Sequence, residues 1–308
     1  MFSLRRGPTL RALVDELLFA RTAEGRAPRT VEWYRSRLAT LIDLAGDRAA
    51  RDVDPDLVRR WLVRVREGRR HPTRDVTVAS HRAAAAALFT WAVREGRIAR
   101  SPMERVAKVR VRRRVIAVLE ESDVARLLGA CASTALGSRD RAIISFLYDT
   151  GARVGELVAL RRDDVQLAEG TALVRGKTGE RRLPLGMRLR ATLLAYVQAR
   201  PRAFTFADPP ELFLGRRGSA LTENGVGQML DRVAHEARLQ VHVHPHLLRH
   251  SFATQYIRNG GDPYTLQIIL GHSTPTMVTR YMHMAARDAE ERHALASPLD
   301  HLQEAATR

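Results

Sequence analysis

The first third of the chain carries hydrophobic residues at the spacing of amphipathic helices. Val31, Tyr34, Leu38, Leu41 and Ala45 recur every three or four positions, so they fall on one face of a helix. The polar residues between them would face solvent. This pattern predicts a helix that packs against others through one apolar face.

Two more helices are predicted before residue 100. Asp54 followed by Pro55 opens an apolar pattern that lasts to Gly68, which is typical of a capped helix with proline in its first turn. A longer helix is predicted over residues 76–95, ending at Gly96. Its alanine run at 83–87 would allow helices to pack closely.

The helical pattern lapses over residues 109–115 (VRVRRRV), and a new helix is predicted to open at Ser122 and Asp123. We therefore expect two domains joined by a basic connector at 109–117. Such a connector could lie along DNA, and a merely solvated charged segment is the alternative.

One β element interrupts the second domain. TALVRG (171–176), a turn at 177–180 and RRLPL (181–185) predict a hairpin. The fold is expected to be mainly α, with an N-terminal helical domain and an α-rich second domain that holds this hairpin. Further helices are predicted over 187–200, 222–238, 246–258, 263–270 behind an Asp262 cap, and from Tyr281 to about Leu295, before a break at Pro298.

Composition adds a polyanionic partner to this picture. The 308 residues are enough for two domains, and 51 Lys and Arg against 34 acidic residues give a net charge of +17. Nucleic acid is favoured over an acidic membrane as the partner. Neither a membrane-spanning run nor a signal peptide is recognisable, so a cytoplasmic location is expected. The single cysteine, Cys131, is predicted to be a small core residue.

Four short segments carry side chains suited to phosphate chemistry. Each segment alone is weak evidence for a catalytic site, because arginine is common in helices and a His-x-x-Arg pair is an ordinary surface pair on one helical face. The segments are TGARVGEL with Arg153 and Glu156, Lys177 in the predicted turn, HLLRH with His246 and Arg249, and LGH with His272, followed nine residues later by Tyr281.

Lys177 has an argument of its own. Lysine occurs only at Lys108 and Lys177, whereas nearly all other basic positions are arginine. Arginine cannot give up a proton at accessible pH, but a desolvated lysine can, so lysine is able to protonate a leaving group. The hairpin turn is therefore interpreted as carrying a general acid. An ordinary solvated turn lysine is the alternative.

In this order and at these separations, the four segments resemble the catalytic signature of the tyrosine recombinase and lambda-integrase family, especially its Xer-like members. The resemblance covers nearly the whole chain. FTWAVREGRIARSP (89–102) resembles the end of that family's SAM-like core-binding domain, and residues 138–160 resemble the start of its catalytic domain. It implies a DNA-binding domain at 1–108, a catalytic domain at 118–296 and a tail at 297–308.

The resemblance implies that Arg153 and Arg249 bind the scissile phosphate. A planar guanidinium can contact two phosphate oxygens at once and stays charged, which stabilises a pentacoordinate phosphorane. Glu156 would either buttress this site or lie on a helix surface. No cofactor and no metal are expected.

The same resemblance implies that His246 helps to move a proton from the nucleophile Tyr281, while His272 donates to a non-bridging oxygen and Lys177 acts as the general acid. Helix-capping or core roles are the alternative for either histidine alone. The other tyrosines, including Tyr196 and Tyr264, fit packing positions. Attack by Tyr281 would give a 3′-phosphotyrosyl link and a free 5′ hydroxyl.

The implied partner is double-stranded DNA, with four protomers, identical or related, assembled on two sites. The segment beyond Tyr281 would dock on a neighbouring protomer. Chromosome dimer resolution and integration or excision of a mobile element both remain open as the biological task, and so does the target sequence.

Three other interpretations remain open. The run VHVHPH (241–246), with His250, could form a zinc face, although it lacks a carboxylate. A type IB topoisomerase would use a similar tyrosine, but the Xer-like N-terminal domain argues against it. A DNA-binding protein that has lost activity would also fit, but all six expected catalytic positions hold competent residues.

Overall fold

The computed structural model describes residues 7–68, 71–111, 117–176, 179–203, 209–271 and 297. The chain divides into two compact units, Met1–Val115 and Ile116–Arg308. Among the described residues, no helix combines the length and the apolar character needed to cross a membrane.

Four helices form the N-terminal unit: α1 (Leu10–Ala23), α2 (Pro28–Ala45), α3 (Pro55–Glu67) and α4 (Asp75–Arg94). The predicted apolar face of α2 is confirmed, although Tyr34 is only half-buried. α3 begins where its cap was predicted, because Asp54 Oδ1 accepts a hydrogen bond of 2.7 Å from the Leu57 amide. It ends before Gly68, also as predicted.

The core of this unit lies between the four helices. Trp61 of α3 and Phe89 of α4 are fully enclosed, and the Trp61 indole N–H donates to Thr40 Oγ1 at 3.0 Å. In the alanine run of α4, Ala84 and Ala85 are buried and the other three alanines are partly or fully exposed. Close helix packing therefore explains only the centre of that run.

The second unit is mainly helical and contains a small sheet. Its elements are α5 (Glu121–Gly129), α6 (Ala135–Thr150), α7 (Val154–Val158), β1 (Val165–Gln166), β2 (Thr171–Gly176), β3 (Gly179–Pro184), α8 (Met187–Ala203), α9 (Glu223–Glu236), α10 (Pro245–Arg258) and α11 (Pro263–Leu270). All the helices predicted between residues 187 and 270 are confirmed, with differences of a few residues at their ends.

The three strands are antiparallel in the order β1-β2-β3. The predicted hairpin is confirmed, and β3 begins at Gly179, two residues earlier than expected. Leu183 lies opposite Ala172, and Arg181 lies opposite Val174. Because alternate residues of a strand share a face, Arg181 and Leu183 both point to the buried side of the sheet.

The core of the second unit forms where α6 packs against α8 and α10. Tyr196 of α8 is enclosed, stacks on Phe213 at 5.4 Å between ring centres, and donates to the Leu212 carbonyl at 2.9 Å. Cys131 is buried as predicted, and burial raises the pKa of its thiol to about 11. The packing role expected for Tyr264 is wrong, because its side chain is 70 % exposed. It lies on the outward face of α11.

Candidate active site

The turn between α6 and α7 brings the first candidate arginine into place. α6 ends at Thr150 and is followed by Gly151, whose φ of +60° lies in the left-handed region that glycine favours and turns the chain. A Cβ atom at this position would lie 2.4 Å from the Phe252 ring. The turn therefore packs against α10. It places Arg153 at the N-cap of α7.

Arg153 and Glu156 form a local pair across the first turn of α7. Glu156 Oε2 accepts from the Arg153 amide at 2.8 Å, and Oε1 accepts from Arg153 Nη1 at 2.9 Å. Glu156 is 2 % exposed, so the alternative of a helix-surface carboxylate is wrong. Its second partner is Arg181, whose Nη1 and Nη2 donate to Oε1 and Oε2 at 2.6 and 2.8 Å.

These contacts control the charge of Glu156. Burial alone would raise the pKa of the carboxyl, but hydrogen bonds from the Arg181 side chain and the Arg153 amide, together with the Arg181 charge, lower it to about 2. The carboxylate is therefore ionised throughout the physiological range, and its charge is shared between two guanidinium groups.

Arg249 lies in the second turn of α10, where it is 9 % exposed. Its Nη1 donates to the carbonyl of Gly151, and its Nη2 donates to the carbonyl of Leu270 at 2.8 Å. The side chain therefore joins the C-terminal ends of α6 and α11.

The end of α11 is where the arginines converge. Helix C-termini present carbonyls without an intrahelical partner and carry partial negative charge, so cations stabilise them. Arginines from three separate elements donate to three consecutive carbonyls. The pairs are Arg181 Nε with Ile269 at 2.7 Å, Arg249 Nη2 with Leu270 at 2.8 Å, and Arg153 Nη2 with Gly271 at 3.2 Å.

His246 lies in the first turn of α10, three residues before Arg249, and is exposed. The preceding His244 acts as the helix cap, because its Nδ1 accepts from the Leu247 amide at 3.2 Å. Burial, followed by the neighbouring His242 and His246, lowers the pKa of His244, which favours the neutral ring that can accept this bond.

Three of the six predicted catalytic residues, Arg153, His246 and Arg249, fall within the described part of the chain. Arg153 and Arg249 meet at neighbouring carbonyls, and His246 shares a helix with Arg249. Lys177, His272 and Tyr281 lie outside the described residues, as does the helix predicted after Tyr281.

The histidine run does not form a metal cluster in the part of the chain that can be described. The rings of His242 and His244 lie 5.5 Å apart, and His242 Nε2 pairs with Asp231 at 3.2 Å. Within the described ranges, no group of three or more His, Cys, Asp or Glu side chains is placed to hold a metal ion.

Sequence reasoning missed Arg181. Its signal was present in the alternation of β3, because Arg181 occupies the same face as buried Leu183. A charged residue that points inward from a strand requires a buried partner.

Two family models match the chain. The model described as the phage integrase family matches residues 117–288, and the model of the phage integrase N-terminal SAM-like domain matches residues 17–96. Tyrosine recombinase XerC of Xanthomonas campestris pv. campestris strain B100 is 31 % identical over 280 residues, covering 90 % of this chain and 85 % of that protein. Tyrosine recombinase XerD of Listeria innocua serovar 6a is 31 % identical over 282 residues, covering 88 % and 94 %.

Solved structures share the fold at lower identity. The Tn1549 transposon integrase in complex with transposon right end DNA has a TM-score of 0.78 at 20 % identity, covering 93 % of this chain and 99 % of that one. A lambda integrase dimer bound to a COC′ core site has a TM-score of 0.71 at 20 % identity, covering 90 % and 77 %.

Proposed function

Because this chain belongs to the phage integrase family of tyrosine recombinases, we propose that it is a site-specific recombinase that cuts DNA with Tyr281 and rejoins it through a 3′-phosphotyrosyl intermediate. The observation that carries this proposal is the meeting of Arg153 and Arg249 at the end of α11. These two arginines are far apart in sequence, yet they bond the carbonyls of Gly271 and Leu270. Those two residues directly precede His272 in the sequence, and His272 is nine residues before the proposed nucleophile.

The two arginines would bind the scissile phosphate. A guanidinium presents five N–H donors in a planar fork whose geometry matches that of phosphate oxygens. Their hydrogen bonds to backbone carbonyls at the ends of helices would orient them before DNA binds, and such preorganisation favours stabilisation of a transition state. The charge that builds up on the phosphorane would then be neutralised without a metal ion.

The remaining roles concern protons. His246 would help to remove the phenolic proton of Tyr281, and His272 would donate to a non-bridging oxygen. Lys177 would protonate the departing 5′ oxygen. A hydroxyl from a second duplex reverses the step, so phosphodiester is exchanged for phosphodiester and no ATP is consumed.

We further propose double-stranded DNA as the substrate and a tetramer on two sites as the active assembly. Solved neighbours of the same fold are described in complex with DNA, which supports the first part. The proposed organisation is a core-binding domain at 1–108, a linker at 109–117, a catalytic domain at 118–296 and a tail at 297–308. The two family matches at 17–96 and 117–288 support it.

The test is a covalent trapping assay. A DNA site is first selected by binding from a random pool, then offered as a nicked duplex in EDTA, so that the strand end diffuses away after cleavage. We expect an adduct that survives denaturation, is lost in Tyr281→Phe and persists in Tyr264→Phe, a matched control on the exposed face of α11.

Other outcomes identify the rivals. DNA binding without any adduct would indicate a recombinase fold that has lost activity. An adduct that forms only with added metal would favour the metal hypothesis. Relaxation of a supercoiled plasmid that lacks the selected site would indicate a topoisomerase.

A further inference from the structure

The Glu156 carboxylate is a polar contact between the hairpin and the rest of the second unit, beside the apolar packing of Ala172, Val174 and Leu183 in the core. Arg181 of β3 binds both of its oxygens, at 2.6 and 2.8 Å. On the other strand, Gly176 lies so close that a Cβ atom there would be 2.6 Å from Glu156 Oε1. Both strands of the hairpin therefore contact the same carboxylate. Lys177 follows Gly176 in the sequence.

Arg181 also reaches a second anchor. Its Nε donates to the Ile269 carbonyl at 2.7 Å, and the side chain is 11 % exposed. A guanidinium presents its donors in a fixed planar fork, so these three bonds together determine both the position and the orientation of the side chain. Arg181 thus connects β3 to α7 and to the end of α11.

The contact between Glu156 and Arg153 does not depend on Arg181. It consists of two hydrogen bonds at the first turn of α7, in which the backbone amide and the side chain of Arg153 both donate to the Glu156 carboxylate. Loss of Arg181 would leave this local pair in place. The hairpin would lose its ionic attachment to Glu156 and its hydrogen bond to Ile269.

We propose that Arg181 is a positioning residue: it holds strands β2 and β3 against α7, and the proton transfer assigned above to Lys177, the next residue in sequence after Gly176, depends on it. This inference rests on the function proposed above. In the step concerned, the Tyr281 oxygen forms a bond to phosphorus, the bond from phosphorus to the 5′ oxygen breaks, and Lys177 supplies the proton that this oxygen takes up.

A substrate with sulfur at the bridging 5′ position separates positioning from general stability. Its bond from phosphorus to sulfur breaks to release a thiolate, which is a far weaker base than an alkoxide and leaves without a proton. A variant that is defective only in proton donation by Lys177 should therefore cleave the sulfur substrate at close to the native rate. A defect in phosphate binding or in folding affects both substrates.

The experiment compares single-turnover cleavage at saturating protein for the native chain, Arg181→Met, Arg181→Lys and Arg182→Met. Arg182 is the matched control, because it is adjacent on β3 and its side chain is 70 % exposed. We expect Arg181→Met to cut the oxygen substrate ~100-fold more slowly, the cost typical of a misplaced catalytic group. Arg181→Lys should lie between Arg181→Met and the native chain, and the control should match the native chain.

With the sulfur substrate, we expect both Arg181 variants to recover most of the native rate. Equal slowing on both substrates, or native rates on both, would overturn the inference. If circular dichroism shows that Arg181→Met is unfolded, the ratio of the rates of Arg181→Lys on the oxygen and sulfur substrates tests the inference instead. Absence of any adduct with the native chain would instead overturn the proposed function, so the two failures are distinguishable.

Discussion

The Arg249 guanidinium donates a hydrogen bond of 2.8 Å to the carbonyl oxygen of Leu270, the last residue of α11. Its other terminal nitrogen bonds the carbonyl of Gly151 at the end of α6. One side chain thus bonds the ends of two helices, and it is also the side chain that we propose binds the scissile phosphate. Activity and stability should respond differently when it is altered.

Arg249→Lys is expected to lower the rate of covalent adduct formation by at least ~100-fold, because a point charge replaces a fork that can contact two phosphate oxygens. It should also cost about 1–3 kcal/mol of unfolding free energy, since one buried carbonyl loses its donor. Single-turnover cleavage and urea unfolding measure the two effects. Arg258→Lys, on the same helix with a side chain 45 % exposed, is the control and should change neither.

Glu156 makes the stability of the second unit depend on pH in the acid range. Its pKa is lowered from 4.5 to about 2 in the folded state, so it stabilises the fold above pH 4.5, and this contribution is lost as pH falls towards 2. The full contribution is about 3 kcal/mol, of which about 2 kcal/mol disappears between pH 6 and pH 3.

The stability advantage of the native chain over Glu156→Gln should therefore shrink by that amount across this pH range. All three tryptophans, at positions 33, 61 and 91, lie in the N-terminal unit. Tryptophan fluorescence therefore reports the unfolding of the N-terminal unit alone and serves as the internal reference, whereas circular dichroism reports the unfolding of both units. Glu169→Gln, at a side chain that is 63 % exposed, controls for the lost charge. A constant difference between the native chain and Glu156→Gln would contradict the assignment.

Most of the fold could be predicted because its signals are local. The caps of α3 and α11 come from Asp54 and Asp262, which lie next to the helices that they start. The strand β1 could not be predicted, because its two residues are too few to show alternation. Tyr264 was misjudged because one tyrosine in a short helix fits either face.

The sequence supplied candidate residues for the site but not their contacts. Arg153 and Arg249 were named from spacing and resemblance, yet Arg153 and the Gly271 carbonyl are separated by 118 positions in the chain. No local pattern specifies such a pairing. Tertiary packing creates it, which is why the role of Arg181 emerged only from the folded structure.

Arg238 should be a point of stored backbone strain. It is the only described non-glycine residue with positive φ, at 54°, just beyond the end of α9. Arg238→Gly is expected to stabilise the second unit by about 1 kcal/mol, because glycine adopts this conformation without steric cost. Urea unfolding followed by circular dichroism measures the change. Arg238→Ala, which removes the same charge but keeps a Cβ atom, should give no gain. An equal gain in both variants would attribute the effect to charge instead.

Affinity for DNA should fall steeply with salt, because the chain carries a net charge of +17 and phosphate contacts release condensed counterions. Between 50 and 200 mM salt, an interface with several phosphate contacts loses about a thousandfold in affinity. Fluorescence anisotropy with labelled duplexes measures this slope for the selected site and for an unrelated sequence. Base contacts add affinity for the selected site without neutralising phosphates, so the two slopes should be similar while the affinities differ. Affinity that stays constant over this range would rule out an interface dominated by phosphate contacts.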